Sequence, residues 1–216
     1  MMESIPMIQI FRSNFLCAVL ACFAAAATAA TTDSTESLDW PCDQALVHEI
    51  PAAVVWEGPS VEGLEHAWQK NEAVDPLVQR LTSVAYDRDR AEREIAEFAS
   101  QQEAGRKDRM LTLLFAGVLE ELNQDRSRML NGILRYSRGQ AIRANRLGED
   151  LDEIARLEED ASEDAKARLA ALHKQMLLEQ RIFDEREAFI QHLCARPVVI
   201  EQRLGFLART IASHLN

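Results

Sequence analysis

Between Pro76 and Pro197 lie 120 consecutive residues without a proline, and apolar positions recur through them at spacings of three, four and seven. That spacing puts the apolar side chains on one face of a helix of 3.6 residues per turn. Ala, Leu, Glu and Arg dominate the stretch. The turn residues that an all-β chain needs every 8–12 residues or so are missing from it. The pattern predicts an all-α fold.

Asp75 as N-cap and Pro76 in the first helical position predict a short helix with Leu77, Val78 and Leu81 on its buried side. Val84, Ala91, Ile95 and Phe98 form the stripe of the next helix, which closes at a turn over Glu103-Ala104-Gly105. The segment from Met110 to Leu122 is apolar on nearly every side, which predicts the most enclosed helix and the centre of the core. Its pattern continues to Leu147, where Gly148 reads as a C-cap. Gly117, Gly132 and Gly139 inside it each cost up to about 1 kcal/mol relative to Ala and point to close helix crossings or a bend.

A second long helix is predicted from about Glu149 to Cys194, with Leu151, Ile154, Leu172, Met176, Phe183 and Ile190 near a coiled-coil seam. Two long helices joined at one glycine make an antiparallel hairpin. Arg196-Pro197 predicts an end or a kink, followed by a last helix carrying Leu204, Leu207 and Ile211. The expected architecture is a bundle of four to five helices over 71–216, built on the hairpin and preceded by an irregular arm over 30–70.

That arm holds Pro41, Pro51 and Pro59 together with all three tryptophans. The breakers limit it to short turns, and the indoles are expected to anchor it on the helical body. The competing expectation is a ligand pocket lined by Trp56, Trp68 and His66.

Residues 1–29 read as an export signal, with Arg12 in the positive region, an apolar run from Phe15 to Phe23 and a small-x-small site at Ala27-Thr28-Ala29. The apolar stretch is shorter than the roughly 18–20 residues of a comfortable membrane span. An alternative is a lipoprotein acylated at Cys22, since Ala18 to Cys22 fit a loose lipobox. The mature chain is expected to be periplasmic or secreted and to have no membrane span.

Export changes the reading of the cysteines, because only Cys42 and Cys194 remain in a compartment that permits oxidation. A Cys42–Cys194 bridge is expected, closing a loop of about 150 residues. Zinc held by Cys42, Cys194, His48 and His192 is the other option, although the spacings match no familiar structural zinc pattern. No metal or cofactor is expected.

The formal net charge is -11, from 35 acidic and 24 basic residues, which disfavours nucleic acid as a partner. One locally basic face departs from this balance. Arg128, Arg135, Arg138, Arg143 and Arg146 fall within about 140° on a helical wheel, opposite Leu130 and Ile133, and an acidic run follows from Glu149 to Asp164. The face is either simply solvated or a docking strip for an acidic or phosphate-bearing partner of the envelope.

No histidine is preceded by Glu at the three-residue spacing of di-iron bundles, and the nucleophile-elbow, P-loop, zinc-protease and thiol-exchange motifs do not occur. No catalytic residue is assigned. The Trp40-Pro41-Cys42 start, the Ile182 to Arg186 stretch ahead of Cys194 and the ending from Ile200 to Ile211 resemble an uncharacterised group of exported, all-helical proteobacterial proteins. The resemblance covers most of the mature chain and implies export and the cysteine pair, with no activity and no site.

The expected function is that of an exported, non-enzymatic interaction, adaptor or chaperone-like protein of the cell envelope. The competing expectation is a small-ligand-binding or envelope-enzyme accessory protein that uses the Trp-bearing arm. An envelope protein or a second copy of the chain, in a homodimer, is the expected kind of partner.

Overall fold

A computed structural model describes residues 38–83 and 85–216. The expected leader, its expected cleavage site and the acylation alternative at Cys22 lie outside the described residues, as does Val84. Among the described residues the structure is helical and contains no strand, in the order α1 (Ala52–Val55), a 3-10 turn (Trp68–Lys70), α2 (Asp75–Thr82), α3 (Arg88–Ser100), α4 (Lys107–Glu158) and α5 (Glu163–Ala212).

The antiparallel hairpin is α4 against α5, the most extensive helix pairing in the molecule. With 52 and 50 residues the two helices are each about 75 Å long at 1.5 Å per residue. That exceeds the diameter of a small domain. Among the described residues, one end of the hairpin is wrapped by other helices, and the core lies there.

In that core Leu111, Leu114, Phe115, Val118 and Leu122 of α4 meet Leu204, Leu207, Ala208 and Ile211 of α5, with Leu77, Val78, Leu81, Ile95 and Phe98 covering them. The segment from Leu111 to Leu122 is buried around most of its circumference, as its sequence requires. Each such Leu, Ile or Phe contributes roughly 1.5–3 kcal/mol on full burial. Gly117 explains how α4 can be approached so closely, since a Cβ there would stand 2.7 Å from Val78 and 2.9 Å from the Trp68 ring. Gly132 and Gly139 face no such neighbour, so of the three internal glycines only Gly117 marks a close crossing.

The turn between the long helices falls eleven residues beyond the expected one. Gly148 is an interior residue of α4 and lacks the positive φ of a glycine cap, which among the described glycines only Gly63 has. Continuing the helix past Gly148 buries Ile154, which offsets the propensity cost of one exposed glycine. The stop comes at Glu159 to Ser162. There Asp160 accepts from the Ser162 N–H at 2.9 Å, and the Ser162 hydroxyl caps α5 by accepting from the Ala165 N–H at 3.2 Å. Leu151 consequently belongs to α4 and is half exposed, where a seam position had been expected.

Two smaller boundaries differ as well. Asp75 is the first residue of α2 and its N-cap position is Val74, with no side-chain cap; in the turn just before it Asn71 Oδ1 accepts from the N–H groups of Ala73 and Val74 at 3.1 Å. Pro197 does not end the second long helix, because α5 runs through it to Ala212 and the expected last helix is its continuation. Proline removes the hydrogen bond to the carbonyl four residues back. Just upstream of it, the Cys194 carbonyl accepts from the Gln44 Nε2 of the arm at 2.6 Å.

The arm is held to α4 and α5 along its length. Cys42 is bonded to Cys194, with the Cα atoms 5.6 Å apart. Asn123 pairs with both backbone groups of Ile50 at 3.0 Å, as a neighbouring strand would. Arg126, 3% exposed, donates to the Val47 carbonyl and places Nε and Nη2 at 3.0 and 2.9 Å from a Glu201 oxygen on α5. Glu201→Ala is expected to cost about 1–3 kcal/mol, because it leaves a buried guanidinium short of an acceptor, whereas Glu201→Gln retains one. The urea midpoint should fall in that order at an unchanged m value.

Candidate functional site

The cysteine pair lies at the junction where arm, α4 and α5 meet. A thiolate zinc site is thereby replaced by a disulfide, and among the described residues no group of three or more His, Cys, Asp or Glu side chains is placed to hold a metal ion.

The five arginines of the expected docking strip sit on α4 in different settings. Arg138 reaches Asp39 of the arm at 2.6 Å, Arg143 crosses to Glu179 of α5 at 3.4 Å, and Arg128 pairs with Asp125 one turn back on its own helix. Arg135 and Arg146 are exposed, and no ion pair joins them to another described residue. The strip is thus partly used to hold the arm and the hairpin together. Exposed pairs of this kind contribute little to stability, about 0–1 kcal/mol each.

Trp56, Trp68 and His66 do not line one pocket. Trp56 is stacked on Phe115 with ring centroids 4.1 Å apart, and its indole N–H donates to the Pro59 carbonyl at 2.8 Å. It edges a groove of about 850 Å³ between the arm and the C-terminal end of α5, with Arg209 and Leu215 opposite. Trp68 and His66 meet elsewhere, on the carboxylate of Glu120. Trp68 Nε1 donates to it at 2.9 Å and the His66 backbone N–H at 3.1 Å, while His66 Nδ1 lies against the same carboxylate. His66 is exposed and has φ of 56°, a left-handed conformation uncommon for a residue with a Cβ.

Burial by itself raises the Glu120 carboxyl, but the hydrogen bonds from Trp68 and then His66 outweigh it and hold the group below its ordinary 4.5. Glu94, bridging Arg80 of α2 and Arg90 of α3 at 2.7 Å each, is also held low. A carboxyl whose folded pKa is depressed stabilises the fold above its unfolded pKa and loses that contribution as pH falls through the folded value. Thermal stability is therefore expected to decline on acidification below about pH 4.5, and Glu120→Gln to make the decline shallower. Melting curves between pH 6 and pH 3, a range of about 1.5 units on each side of that value, measure it.

Where α5 leaves the core it forms a second groove with α4. Leu193, Arg196, Ile200 and Arg203 lie along one stripe of α5, facing Asp125, Arg128, Met129, Gly132, Ile133 and Tyr136 of α4 across an open space of about 560 Å³. Arg203 is fixed at one end, donating to the Leu81 and Ser83 carbonyls and lying 4.0 Å over the Tyr86 ring. Its Nε is buried with no acceptor among the described residues. Burial lowers the pKa of this guanidinium, with Tyr86 and Asp125 acting against the shift, and an arginine so placed stays charged at neutral pH.

Sequence reasoning missed this groove, and it also missed the Gln140 layer farther out. Gln140, 3% exposed, donates to the Phe183 carbonyl at 3.2 Å and to Glu187 at 3.1 Å, and accepts from Arg186 Nε at 2.8 Å. Such a satisfied polar layer fixes the register of two paired helices. Beyond it the hairpin carries Leu151, Leu177 and Leu178 in exposed positions. No helix of the described chain is long and apolar enough to cross a membrane. Comparison with protein families, curated proteins and solved structures finds no match, so the reading of function rests on the residues themselves.

Proposed function

We propose that the protein is an exported, non-enzymatic adaptor or chaperone-like protein of the cell envelope, which works by presenting its long helical hairpin to other proteins. The observation that carries this reading is the outer part of the hairpin. There, among the described residues, two helices pack on each other alone, and Leu177 and Leu178 are 74% and 61% exposed. Large apolar side chains held on a stiff, otherwise charged projection favour contact with apolar segments of a client or partner. The disulfide suits an oxidising compartment.

The test is suppression of light scattering by a denatured client at equimolar protein. The wild-type chain is expected to slow aggregation, and a Leu177→Glu/Leu178→Glu chain to lose at least about half of that effect with its helix content unchanged. No suppression by the wild-type chain, together with no partner captured from an envelope extract, removes the proposal.

A second reading, a ligand-binding or accessory role for the arm, is favoured by the groove beside Trp56. A ligand there would change tryptophan emission, and Leu215→Trp, which obstructs the groove, would abolish the change.

A further inference from the structure

Outside the core, one side of the α4–α5 hairpin carries apolar side chains that no described element covers. Positions 132, 135, 139, 142, 146 and 149 of α4 follow one another at alternating spacings of three and four, which keeps them on one side of a helix paired lengthwise with another. On α5, steps of three, four and seven lead from Arg196 and Leu193 of the groove through Phe189 to Ile182 and Leu178. Phe189 meets Tyr136 of α4 on this side, with ring centroids 6.2 Å apart. Ile142, Leu178 and Phe189 are thus on one face, and they are 54%, 61% and 48% exposed.

The charges on this face change sign along it. Arg135 and Arg146 precede Gly148, and Glu149, Asp160 and Asp164 follow it; all five are exposed, and none forms an ion pair with another described residue. A face that is basic in one half and acidic in the other is complementary to itself when a second copy is turned end for end. With the twofold axis between Leu147 and Gly148, Arg146 stands beside Glu149 of the second copy, and Arg135 is level with its Asp160. The bridges Arg143–Glu179 and Glu153–Arg168 put Lys174 of α5 level with the same axis. Leu178 then falls against Ala171 of the second copy and Ile182 against Ala167, a large side chain on a small one in each case.

We propose that this face is the interface of an antiparallel homodimer, in which the acidic end of each hairpin lies on the arginine stretch of the other. From Arg135 to Asp160 the overlap is about 37 Å long and, two helices wide, about 20 Å across. That covers roughly 750 Å² on each copy, close to the roughly 800 Å² per partner of stable complexes. The net charge of -11 opposes association only weakly, since at physiological salt charges more than about 8 Å apart are largely screened while pairs across the contact are not. The second copy covers Leu178 and leaves Leu151 and Leu177, on the opposite side of the hairpin, open to a client. Dimer and adaptor readings therefore stand or fall separately.

The experiment is sedimentation velocity of the full disulfide-bonded chain from about 1 to 100 μM, with two charge-reversed chains beside the wild type. The wild-type chain is expected to pass from monomer to dimer. Arg135→Glu/Arg146→Glu makes both halves of the face acidic, and Glu149→Arg/Asp164→Arg makes both basic, so each variant alone should self-associate at least about tenfold more weakly. Mixed in equal amounts, the two variants bring unlike charges together again and should recover a dimer containing one of each. That recovery also shows that both chains are folded. The proposal is overturned if the wild-type chain stays monomeric, if either variant dimerises as tightly as the wild type, or if the mixture remains monomeric.

Discussion

Replacing Cys42 and Cys194 by serine is expected to destabilise the protein by about 5 kcal/mol, the loop-closure entropy that a bridge of this span removes from the unfolded chain. The two residues are 152 positions apart, so nearly the whole arm, α1 to α4 and most of α5 are inside the closed loop. In the folded state less changes. Gln44, Asn123 and Arg126 still hold the arm through hydrogen bonds, and Trp56 and Trp68 stay in the core. The unfolded chain carries most of the effect, which gives it a signature. In urea the midpoint should drop while the m value rises, because the unbridged chain exposes more surface on unfolding. A stability loss of under about 1 kcal/mol would mean that the native contacts of the arm, and not the covalent closure, dominate.

Trp68→Ala should cost about 3–5 kcal/mol, the range for removing a large aromatic side chain from a packed interior. The indole is 1% exposed and lies against the backbone of α4 at Gly117, while its N–H satisfies Glu120. Truncation empties that space and takes a donor from a half-buried carboxylate. Gly117→Ala should cost about 1–3 kcal/mol in the wild-type chain, since its Cβ would overlap Val78 and Trp68. In the Trp68→Ala background much of that clash is gone and the higher helix propensity of alanine remains. There Gly117→Ala should be close to neutral or stabilising by up to about 1 kcal/mol. Additive costs across the four chains of this cycle would show that the two residues do not contact each other as described.

The fold class was legible in the sequence because it rests on periodicity, and the 3-4-7 spacing survives any error about where a helix ends. The stripe of Ala91, Ile95 and Phe98 is buried as read, and Leu111 to Leu122 are at the centre of the core. The bridge between Cys42 and Cys194 was legible by elimination, once residues 1–29 are read as a leader. The turn was misplaced because one glycine was weighted above a better signal. Asp160-Ala161-Ser162-Glu163-Asp164 holds a turn acceptor, a cap and two first-turn carboxylates together, whereas Gly148 offers only permissiveness.

The clamps on the arm were not legible. Asn123 and Arg126, like Gln140 between the two long helices, are polar residues in a helical pattern, and only the partner that covers them, far away in sequence, turns them from surface into interior. The same holds for the α4–α5 groove. Its two walls are more than 50 residues apart along the chain, and neither helix alone shows that Arg128 and Arg196 line the same cleft.

The bridge has one more consequence, for the chain as a covalent object. The connections between α3 and α4 and between α4 and α5 both fall inside the ring that Cys42 and Cys194 close. A single cut at either place, such as one in the exposed Glu159 to Ser162 turn, leaves the two fragments joined. A protease that nicks the hairpin tip would thus leave the two pieces in one molecule, with its core, its arm and both grooves still in place, and only a reductant would let the pieces part.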